Sequence, residues 1–559
     1  MSIPLVFRFL FRVKKLGWFI MGARFLAALV VTFCLVIVDL PYVEAQSTDS
    51  IPSVDDEPRW KAPSAKSPAR SDETVKKPAA QPAKAVEKEE LQDLVDASVD
   101  AAIAKQAKAE KEKAAAKPDA ATPPVKDLSM KPAWNDGLEF KTADDEFKIH
   151  VGGRYQFDTS YLNAPVAVQS NIGSPYASGA DFRRARIRID GTLYKSIDFA
   201  CEYDFVNSSL VRNQPVNATS FGFQEQTVTA PTDLFVQLKD LPRIGNLRIG
   251  NQKEPIGFEH LVSSRFQPLM ERSYNQDAFY GGTFNGFTPG IQAFRNYGDD
   301  DMGLIQMGVF RPVDSVFAFN TGGDDLAFTA RLTKLLSYED EGRYLTHVGG
   351  SVRAATAVSN SLSPGARQTF RARDAVRAGL SSDWAVPAGI TLFGDDVTFA
   401  NMEFVAVRNQ WTMQSEYLFS QITDAQTSLV GPVTGSVNYQ GGYIQLFRYL
   451  TDDYDRYDKK TGVFGRVKPA QNYAPGSPWR CTGGARQLGV RYNCLDLNDQ
   501  GLNGGILHNV SLGYNWFLNP NVKLQSNYIF TYRDVADTTA FPGGSGWING
   551  FGARLAIDF

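Results

Sequence analysis

Apolar and polar residues alternate over short segments through most of the chain after residue 140. In "FKIHVGGRYQFD" (147–158) the bulky apolar residues fall at every second position, and polar residues, among them Arg154, fall between them. Successive side chains of a β-strand point to opposite faces, so each such segment predicts a strand with one apolar and one polar face.

The segment "FRRARIRIDG" (182–191) places a row of arginines on one strand face. Arg184, Arg186 and Arg188 alternate with aliphatic residues, and in "LRIGNQ" Arg248 lies between a leucine and an isoleucine in the same way. Like charges on one face repel one another unless water, counterions or carboxylates surround them. The polar face therefore predicts contact with water or with acidic partners.

Segments of strand length recur to the last residue, Phe559, and 16 or 17 of them are candidate strands. Short turns such as 518–521 are expected to alternate with long polar loops such as Thr451–Arg480, a contrast that is typical of outer-membrane barrels. A soluble sandwich of this length would divide into domains. The pattern predicts an all-β fold, a single transmembrane antiparallel β-barrel over residues 140–559 with 16 strands, or alternatively 18.

The first 130 residues have a different character. The apolar run Phe25–Val38 follows basic residues and is too short to span a membrane as a helix, which predicts a signal peptide over residues 1–45, with Met21 as an alternative start. Residues 46–130 are a Pro/Ala/Lys-rich linker that cannot bury a core. Its stretch 87–117 has high helix propensity, and we expect a solvated single helix in the periplasm, with a trimeric coiled coil as the alternative.

Composition narrows the function further. The chain has 559 residues and a formal net charge of −3, so no basic bias indicates nucleic acid. Cys481 and Cys494 either form a disulfide or remain thiols. None of the four histidines lies in a catalytic motif, and neither an enzyme, a metal site nor a cofactor is expected.

Three long segments resemble one known family. They are "DFRRARIRIDGTLYKSIDFACEYDF" (181–205), "LRIGNQKEPIGFEHLVSSRFQPLMER" (247–272) and "RQLGVRYNCLDLNDQGLNGGILHNVSLGYNWFLNPNVKLQSNYIF" (486–530). In this order they resemble the phosphate-selective porins O and P. The resemblance implies a 16-stranded trimeric barrel in the outer membrane that conducts small anions, and phosphate in some members.

Individual motifs of that family can be matched to this chain. They are the Lys-x-Pro-x-Gly-x-Glu stretch 253–259, the Met-Glu-Arg motif 270–272 and the Arg-Arg-x-Arg motif 183–186. The lysine cluster of the family's phosphate selectors cannot be placed here, so the resemblance supports a porin more strongly than a phosphate preference.

A hypothesis for the anion pathway follows from the strand pattern and the resemblance together. Guanidinium groups are always charged and bind oxyanions through a planar fork. The candidate pathway residues are Arg184, Arg186, Arg188, Arg154, Arg248 and Lys253. An alternative interpretation makes the arginines wall braces, paired with acidic residues of neighbouring strands (Asp190, Asp198, Glu202, Asp204). Lys253 and Arg272 have a structural alternative too, as side chains that pin a loop to the wall.

The sequence thus predicts an outer-membrane porin, a passive channel for small anions such as phosphate or chloride. Its expected partners are outer-membrane lipid and two further copies of the chain in a homotrimer, with no nucleic acid. Two alternatives remain: a closed structural barrel that anchors the periplasmic helix, and an outer-membrane barrel enzyme.

Overall fold

The computed structural model describes residues 127–559 with eleven short gaps, together with three isolated positions (104, 105 and 108). The gaps are residues 173–177, 218–219, 281–285, 313–325, 357, 361–362, 375, 378–387, 429–430, 477–481 and 537–542. The predicted signal peptide, nearly all of the predicted linker with its helical stretch, and Cys481 lie outside the described residues.

Strands make up most of the described chain. Along the sequence they are β1 (Met130–Trp134), β2 (Leu138–Thr142), β3 (Lys148–Asn163), β4 (Gly179–Leu193), β5 (Ile197–Asn217), β6 (Ser220–Leu241), β7 (Gly245–Lys253), β8 (Phe287–Tyr297), β9 (Gly303–Phe310), β10 (Ala327–Glu339), β11 (Tyr344–Thr356), β12 (Val358–Asn360), β13 (Ser363–Ala372), β14 (Ala388–Phe393), β15 (Asp396–Arg408), β16 (Trp411–Ile422), β17 (Val437–Tyr449), β18 (Tyr457–Asp458), β19 (Val463–Phe464), β20 (Ala485–Asp499), β21 (Leu502–Asn519), β22 (Val522–Asp534) and β23 (Gly546–Asp558). The helices are α1 (Val166–Ile172), α2 (Phe258–Leu261) and a π-helical turn (Gln276–Tyr280), with 3₁₀ turns at Asp299–Asp301 and Asp340–Gly342. No helix in this part of the chain is both long and apolar enough to cross a membrane.

Sixteen of the described strands form one closed barrel: β3 to β11, β15 to β17 and β20 to β23. Each is antiparallel to the next in this series. The last strand, β23, pairs with the first, β3, and places Arg554 opposite Asp158. The predicted all-β barrel of 16 strands is confirmed. The hairpin β1–β2 pairs with the start of β3, so the predicted boundary at residue 140 falls inside β2.

The side chains of the wall alternate between its two faces. On β3, Tyr155 and Phe157 are exposed on the outer face, whereas Arg154 is buried on the inner face. On β4, Ile187 and Ile189 are exposed in the same way. An apolar outer face suits lipid, where an arginine at the middle of the bilayer costs about 2–4 kcal/mol. The charged side chains are therefore directed inward.

A β-bulge changes this alternation near the start of β4. In the register of the two strands, Arg184 and Phe182 lie opposite consecutive residues of β3, and Arg183 is the extra residue between them. A bulge of this kind redirects the side chains next to it. Phe182 is therefore exposed on the outer face, where its ring lies 5.3 Å from the ring of Phe157. Strict alternation would have placed Phe182 inside with the arginines.

Most connections at one end of the barrel are short, and most at the other end are long. At one end short turns such as 194–196 and 520–521 join the strands, and both ends of the barrel wall lie there. The connection between β17 and β20 (450–484) is long, yet it also lies at this end, because β17 runs toward the turns. The expected alternation of short turns with long loops is therefore wrong at the connection that contains Thr451–Arg480, and also at residues 500–501, a two-residue turn between β20 and β21 at the opposite end.

Two connections fold into the barrel and fill part of its interior. We call residues 254–280 the inner loop and residues 450–476 the mouth segment. They meet where the ring of Phe258 lies 5.1 Å from that of Phe464 and 6.4 Å from that of Tyr457. Apolar residues of the mouth segment are buried in this cluster, so the segment is not the polar loop that its composition predicts.

Candidate functional site

A cavity of about 510 Å³ is lined by the inner face of the wall, by the two inserted segments and by part of the connection between β11 and β15, which carries Arg373 and Arg377. Thirteen basic side chains line it: Arg154, Arg183, Arg184, Arg186, Arg188, Arg248, Lys253, Arg265, Arg272, Arg373, Arg377, Lys460 and Arg466. The six acidic ones are Asp136, Asp190, Glu202, Asp233, Glu271 and Asp277. The lining therefore has an excess of seven basic side chains, and a cleft with such an excess concentrates anions.

Arg154 and Arg186 share one carboxylate of β5. Arg154 donates to Glu202 at 2.5 Å, and Arg186 donates to Glu202 at 3.0 Å and to Asp204 at 2.8 Å. The hydroxyl of Thr232 also donates to Glu202, at 2.7 Å. All of these side chains are buried, and a buried charge is tolerated when it is paired in this way. These two arginines join β3, β4 and β5 as well as lining the cavity.

Arg188 is also paired with carboxylates, but its side chain is more exposed than those of Arg154 and Arg186. Its guanidinium donates to Asp190 at 2.8 Å and to Asp233 at 2.9 Å. Its side chain is 20% exposed, compared with 6% for Arg186. Arg188 therefore retains access to water in the cavity while its charge is balanced.

Arg184 connects the wall to the inner loop. It donates to the side-chain oxygen of Gln156 at 2.8 Å and lies 3.4 Å from the carboxylate of Glu271. The three arginines of the row are thus all on the inner face, and all have carboxylates within 4 Å. Of the carboxylates that the alternative interpretation named, Asp190, Glu202 and Asp204 pair with this row, whereas Asp198 pairs with Lys239.

Arg248 and Lys253 differ from the row, because in the described part of the chain neither has a carboxylate within ion-pair distance. Arg248 donates from Nε and Nη2 to the Oε1 atom of Gln237, at 3.0 and 2.8 Å, and lies 4.2 Å from the ring centre of Phe235. Lys253 donates to the backbone carbonyl oxygens of His260 and Val262 in the inner loop. Their positive charges are therefore not balanced by a direct ion pair.

Glu271 is the most highly connected acidic residue of the site. Arg183 and Arg554 each contact it at 2.9 Å, and Arg184 and Arg377 contact it at 3.4 Å. Burial alone raises the pKa of Glu271, but the surrounding arginines hold that pKa well below its usual range. This carboxylate fastens the inner loop to two wall strands, β4 and β23.

Further contacts fasten the inner loop around the circumference of the barrel. Glu254 accepts from Arg353 of β11 at 2.7 Å, and Glu259 accepts from Arg491 of β20 at 2.9 Å. The carboxylate of Glu416 on β16 accepts two successive backbone N–H groups at the start of α2, at 3.0 and 2.7 Å. The loop is therefore held on several sides in a defined position across the interior.

Sequence reasoning missed most of these loop contacts. The Met-Glu-Arg motif (270–272) marked Glu271, but nothing in the sequence identified Arg554 or Arg377 as its partners. Arg272 donates to the backbone carbonyl oxygens of Glu259 and Val262, at 2.9 and 2.6 Å. Lys253 of β7 pins the inner loop to the wall, as the structural interpretation proposed, whereas both carbonyls that Arg272 contacts belong to the inner loop itself.

Side chains that could bind a metal ion or react chemically have the following surroundings in the described part of the chain. Among the described residues no group of three or more His, Cys, Asp or Glu side chains is placed to hold a metal ion. His347 is buried and lies between a carboxylate oxygen of Glu403 at 3.0 Å and the hydroxyl of Tyr457 at 2.8 Å. The thiol of Cys494 lies 3.5 Å from a backbone carbonyl oxygen, and its suggested partner Cys481 lies outside the described residues.

Comparison with known proteins places these features in context. The family model described as "Phosphate-selective porin O and P" matches residues 149–541. An uncharacterized protein of Caulobacter vibrioides is 24% identical over 450 residues, covering 79% of this chain and 80% of that protein. Porin O of Pseudomonas aeruginosa is 24% identical over 441 residues, covering 74% of this chain and 89% of that protein. An anion-selective porin from Comamonas acidovorans matches with a TM-score of 0.42 and 12% identity, over 74% of this chain and all of that one.

Proposed function

The chain belongs to the family of phosphate-selective porins O and P, a family of outer-membrane channels, and we propose that its basic cavity is the route by which small anions pass. The observation that carries this proposal is the excess of seven basic side chains in the lining of the cavity. In a confined and partly desolvated space each uncancelled charge acts at a lower effective dielectric constant than in water. Anions are therefore favoured over cations along this route.

Within the cavity the basic residues have two roles. Arg154, Arg184, Arg186 and Arg188 are paired, so they hold the wall in shape and present their remaining N–H groups to a passing anion. Arg248 and Lys253 supply charge that no direct ion pair balances. Conduction requires binding that is strong enough for entry and weak enough for release. A series of partly compensated sites meets that requirement better than one isolated, uncompensated cluster.

The proposal extends to the kind of anion, the assembly and the orientation. Phosphate and chloride are both candidates, since guanidinium groups bind the oxygens of phosphate in pairs and attract chloride by charge alone. The family resemblance supports a homotrimer. The end of the barrel that carries the short turns, and the segment before β1, would face the periplasm.

The test is a planar bilayer recording of the purified protein. Under a salt gradient the reversal potential should show a preference for chloride over potassium, and replacing chloride by phosphate should retain current. A preference for potassium would contradict the proposal. The absence of conductance steps would contradict it too, and would favour the closed structural barrel.

A further inference from the structure

Three segments that are far apart in the sequence meet at the end of the barrel that carries the short turns. Asp136 lies in the turn between β1 and β2, Asp558 ends the last wall strand, and Arg466 belongs to the mouth segment. The Nε atom of Arg466 lies 3.1 Å from a carboxylate oxygen of Asp136. Its Nη2 atom is in close charge contact with Asp558, without the alignment of a hydrogen bond. One guanidinium therefore faces two carboxylates.

The position of Arg466 is fixed by other contacts. Its Nη1 atom donates to the backbone carbonyl oxygen of Pro520, at 2.5 Å, in the turn between β21 and β22. Its guanidinium carbon lies 5.6 Å from the ring centre of Phe266 in the inner loop. The side chain is 9% exposed. Because the planar guanidinium group of Arg466 is held by this many contacts, its positive charge has a fixed position.

The four side chains that these ion pairs join carry charges that balance one another, and Lys523 lies beside them, where it donates to the backbone carbonyl of Arg265 at 3.1 Å. Arg265 of the inner loop lies 3.9 Å from Asp558, so two basic and two acidic side chains stand together, and Asp136, Arg265 and Arg466 all line the cavity. Without Arg466 this group would have a net negative charge at one end of a route that is otherwise basic. An acidic mouth repels anions and lowers their local concentration.

We propose that Arg466 is a selectivity-determining residue of the channel, which acts by neutralising Asp136 and Asp558 at the mouth on the short-turn side. The inference rests on the proposed function, since it concerns the same anion route. It adds that the hairpin preceding the barrel contributes a carboxylate to that route. It also assigns the mouth segment a role in ion preference in addition to its packing in the barrel.

The proposal predicts shifts of opposite sign for the two members of one ion pair. In planar bilayers under a salt gradient, Arg466→Gln should lower the chloride-to-potassium permeability ratio by about threefold. Asp136→Asn should raise that ratio, because it leaves Arg466 with one acidic partner fewer. The double variant should return the ratio to near the wild-type value, because the local charges balance again.

Control variants separate charge from structure. Arg456→Gln removes one positive charge from the same segment at an exposed position, 3.8 Å from Glu341, and should leave the ratio unchanged. Arg466→Lys keeps the charge and should keep the ratio. Folding of each variant is checked by the heat-dependent mobility of the barrel in gels.

Two results would overturn the proposal. If Arg466→Gln and Asp136→Asn shift the ratio in the same direction, Arg466 acts only as a brace for the hairpin. If neither shifts it, the mouth does not contribute to ion preference. The proposed function is tested separately, by the chloride-to-potassium permeability ratio of the wild-type protein. The shifts that the two variants cause are measured relative to that ratio, so their directions can be compared whatever its value.

Discussion

Arg183 and Glu271 form a bidentate ion pair that joins the barrel wall to the inner loop. The Nε atom of Arg183 lies 2.9 Å from Oε1 of Glu271, and its Nη2 atom lies 3.3 Å from Oε2. Arg183 turns inward because it is the extra residue of the bulge in β4. The bulge thus adds a fourth arginine to a face that alternation alone supplies with three.

Removal of the Glu271 carboxylate should loosen the inner loop. Glu271→Gln leaves several buried guanidinium groups short of a partner, and breaking a buried pair from one side costs about 3–5 kcal/mol. We expect a lower free energy of unfolding, measured by urea titration of the barrel in detergent. Glu341→Gln is the matched control, because Glu341 is 82% exposed. A variant at 271 that is as stable as the control would contradict the assignment of Glu271 as the main anchor.

The ion pairs of Glu271 should persist under moderately acidic conditions. The folded-state pKa of Glu271 is held well below its usual range, whereas in the unfolded chain it is about 4.3. The stabilisation by the Glu271 ion pairs is therefore fully present at pH values above the pKa of Glu271 in the unfolded chain. It is lost only as the pH falls through the pKa of Glu271 in the folded protein. The difference in unfolding midpoint between wild type and Glu271→Gln should stay constant from about pH 7 to about pH 5. A difference that disappears within this range would show that Glu271 is not held ionised.

These anchors also show how far the sequence predicts the structure. Alternation identifies the inner and outer faces of β3 and β4 because a strand imposes a period of two on its side chains. Alternation predicts the wrong face for Phe182, because the extra residue of the bulge turns this side chain to the outer face. The count of 16 or 17 alternating segments left the strand number open between 16 and 18, and closure is expected because it removes every unpaired edge of the sheet.

The partners of the arginines could not be predicted in the same way. Arg554 and Glu271 are 283 positions apart, and no local pattern indicates that the inner loop carries a carboxylate to the last strand. The sequence predicts a solvated loop for the mouth segment because the composition of this segment is polar. Its few aromatic residues, such as Tyr457 and Phe464, decide its position by packing against Phe258.

Arg248 offers the cleanest test of charge in the cavity. Its guanidinium donates to the neutral side chain of Gln237, so Arg248→Gln leaves no carboxylate without a partner. We expect the chloride-to-potassium permeability ratio to fall by about two- to threefold, with a smaller loss of stability than when a buried ion pair is broken. Arg295→Gln is the control, since Arg295 is exposed and donates to a backbone carbonyl oxygen at the turn end, 3.1 Å away. Equal ratios for the two variants would argue against a role for Arg248.

The row of three arginines should behave differently from Arg248. Replacing Arg184, Arg186 and Arg188 together by glutamine removes charge from the route and should shift the ratio toward cations. It also removes the guanidinium that pairs with the buried carboxylate of Asp204 and one of the two that pair with Glu202, so the unfolding midpoint should fall as well. A triple variant that folds, conducts and keeps its anion preference would show that these arginines only brace the wall.

The contact between the two inserted segments predicts a local effect on stability. Phe464→Ala removes a ring that packs 5.1 Å from that of Phe258, and deleting a buried phenylalanine side chain costs about 3–5 kcal/mol. The mouth segment is held by this cluster whereas the wall is held by its own hydrogen bonds. The expected result is therefore faster cleavage within residues 450–476 in limited proteolysis, by about tenfold or more, with the barrel itself still folded. Tyr473→Ala is the matched control in the same segment, because Tyr473 is 37% exposed and packs at the surface against Trp516. Equal cleavage rates for the two variants would show that the aromatic cluster does not hold the mouth segment in the barrel.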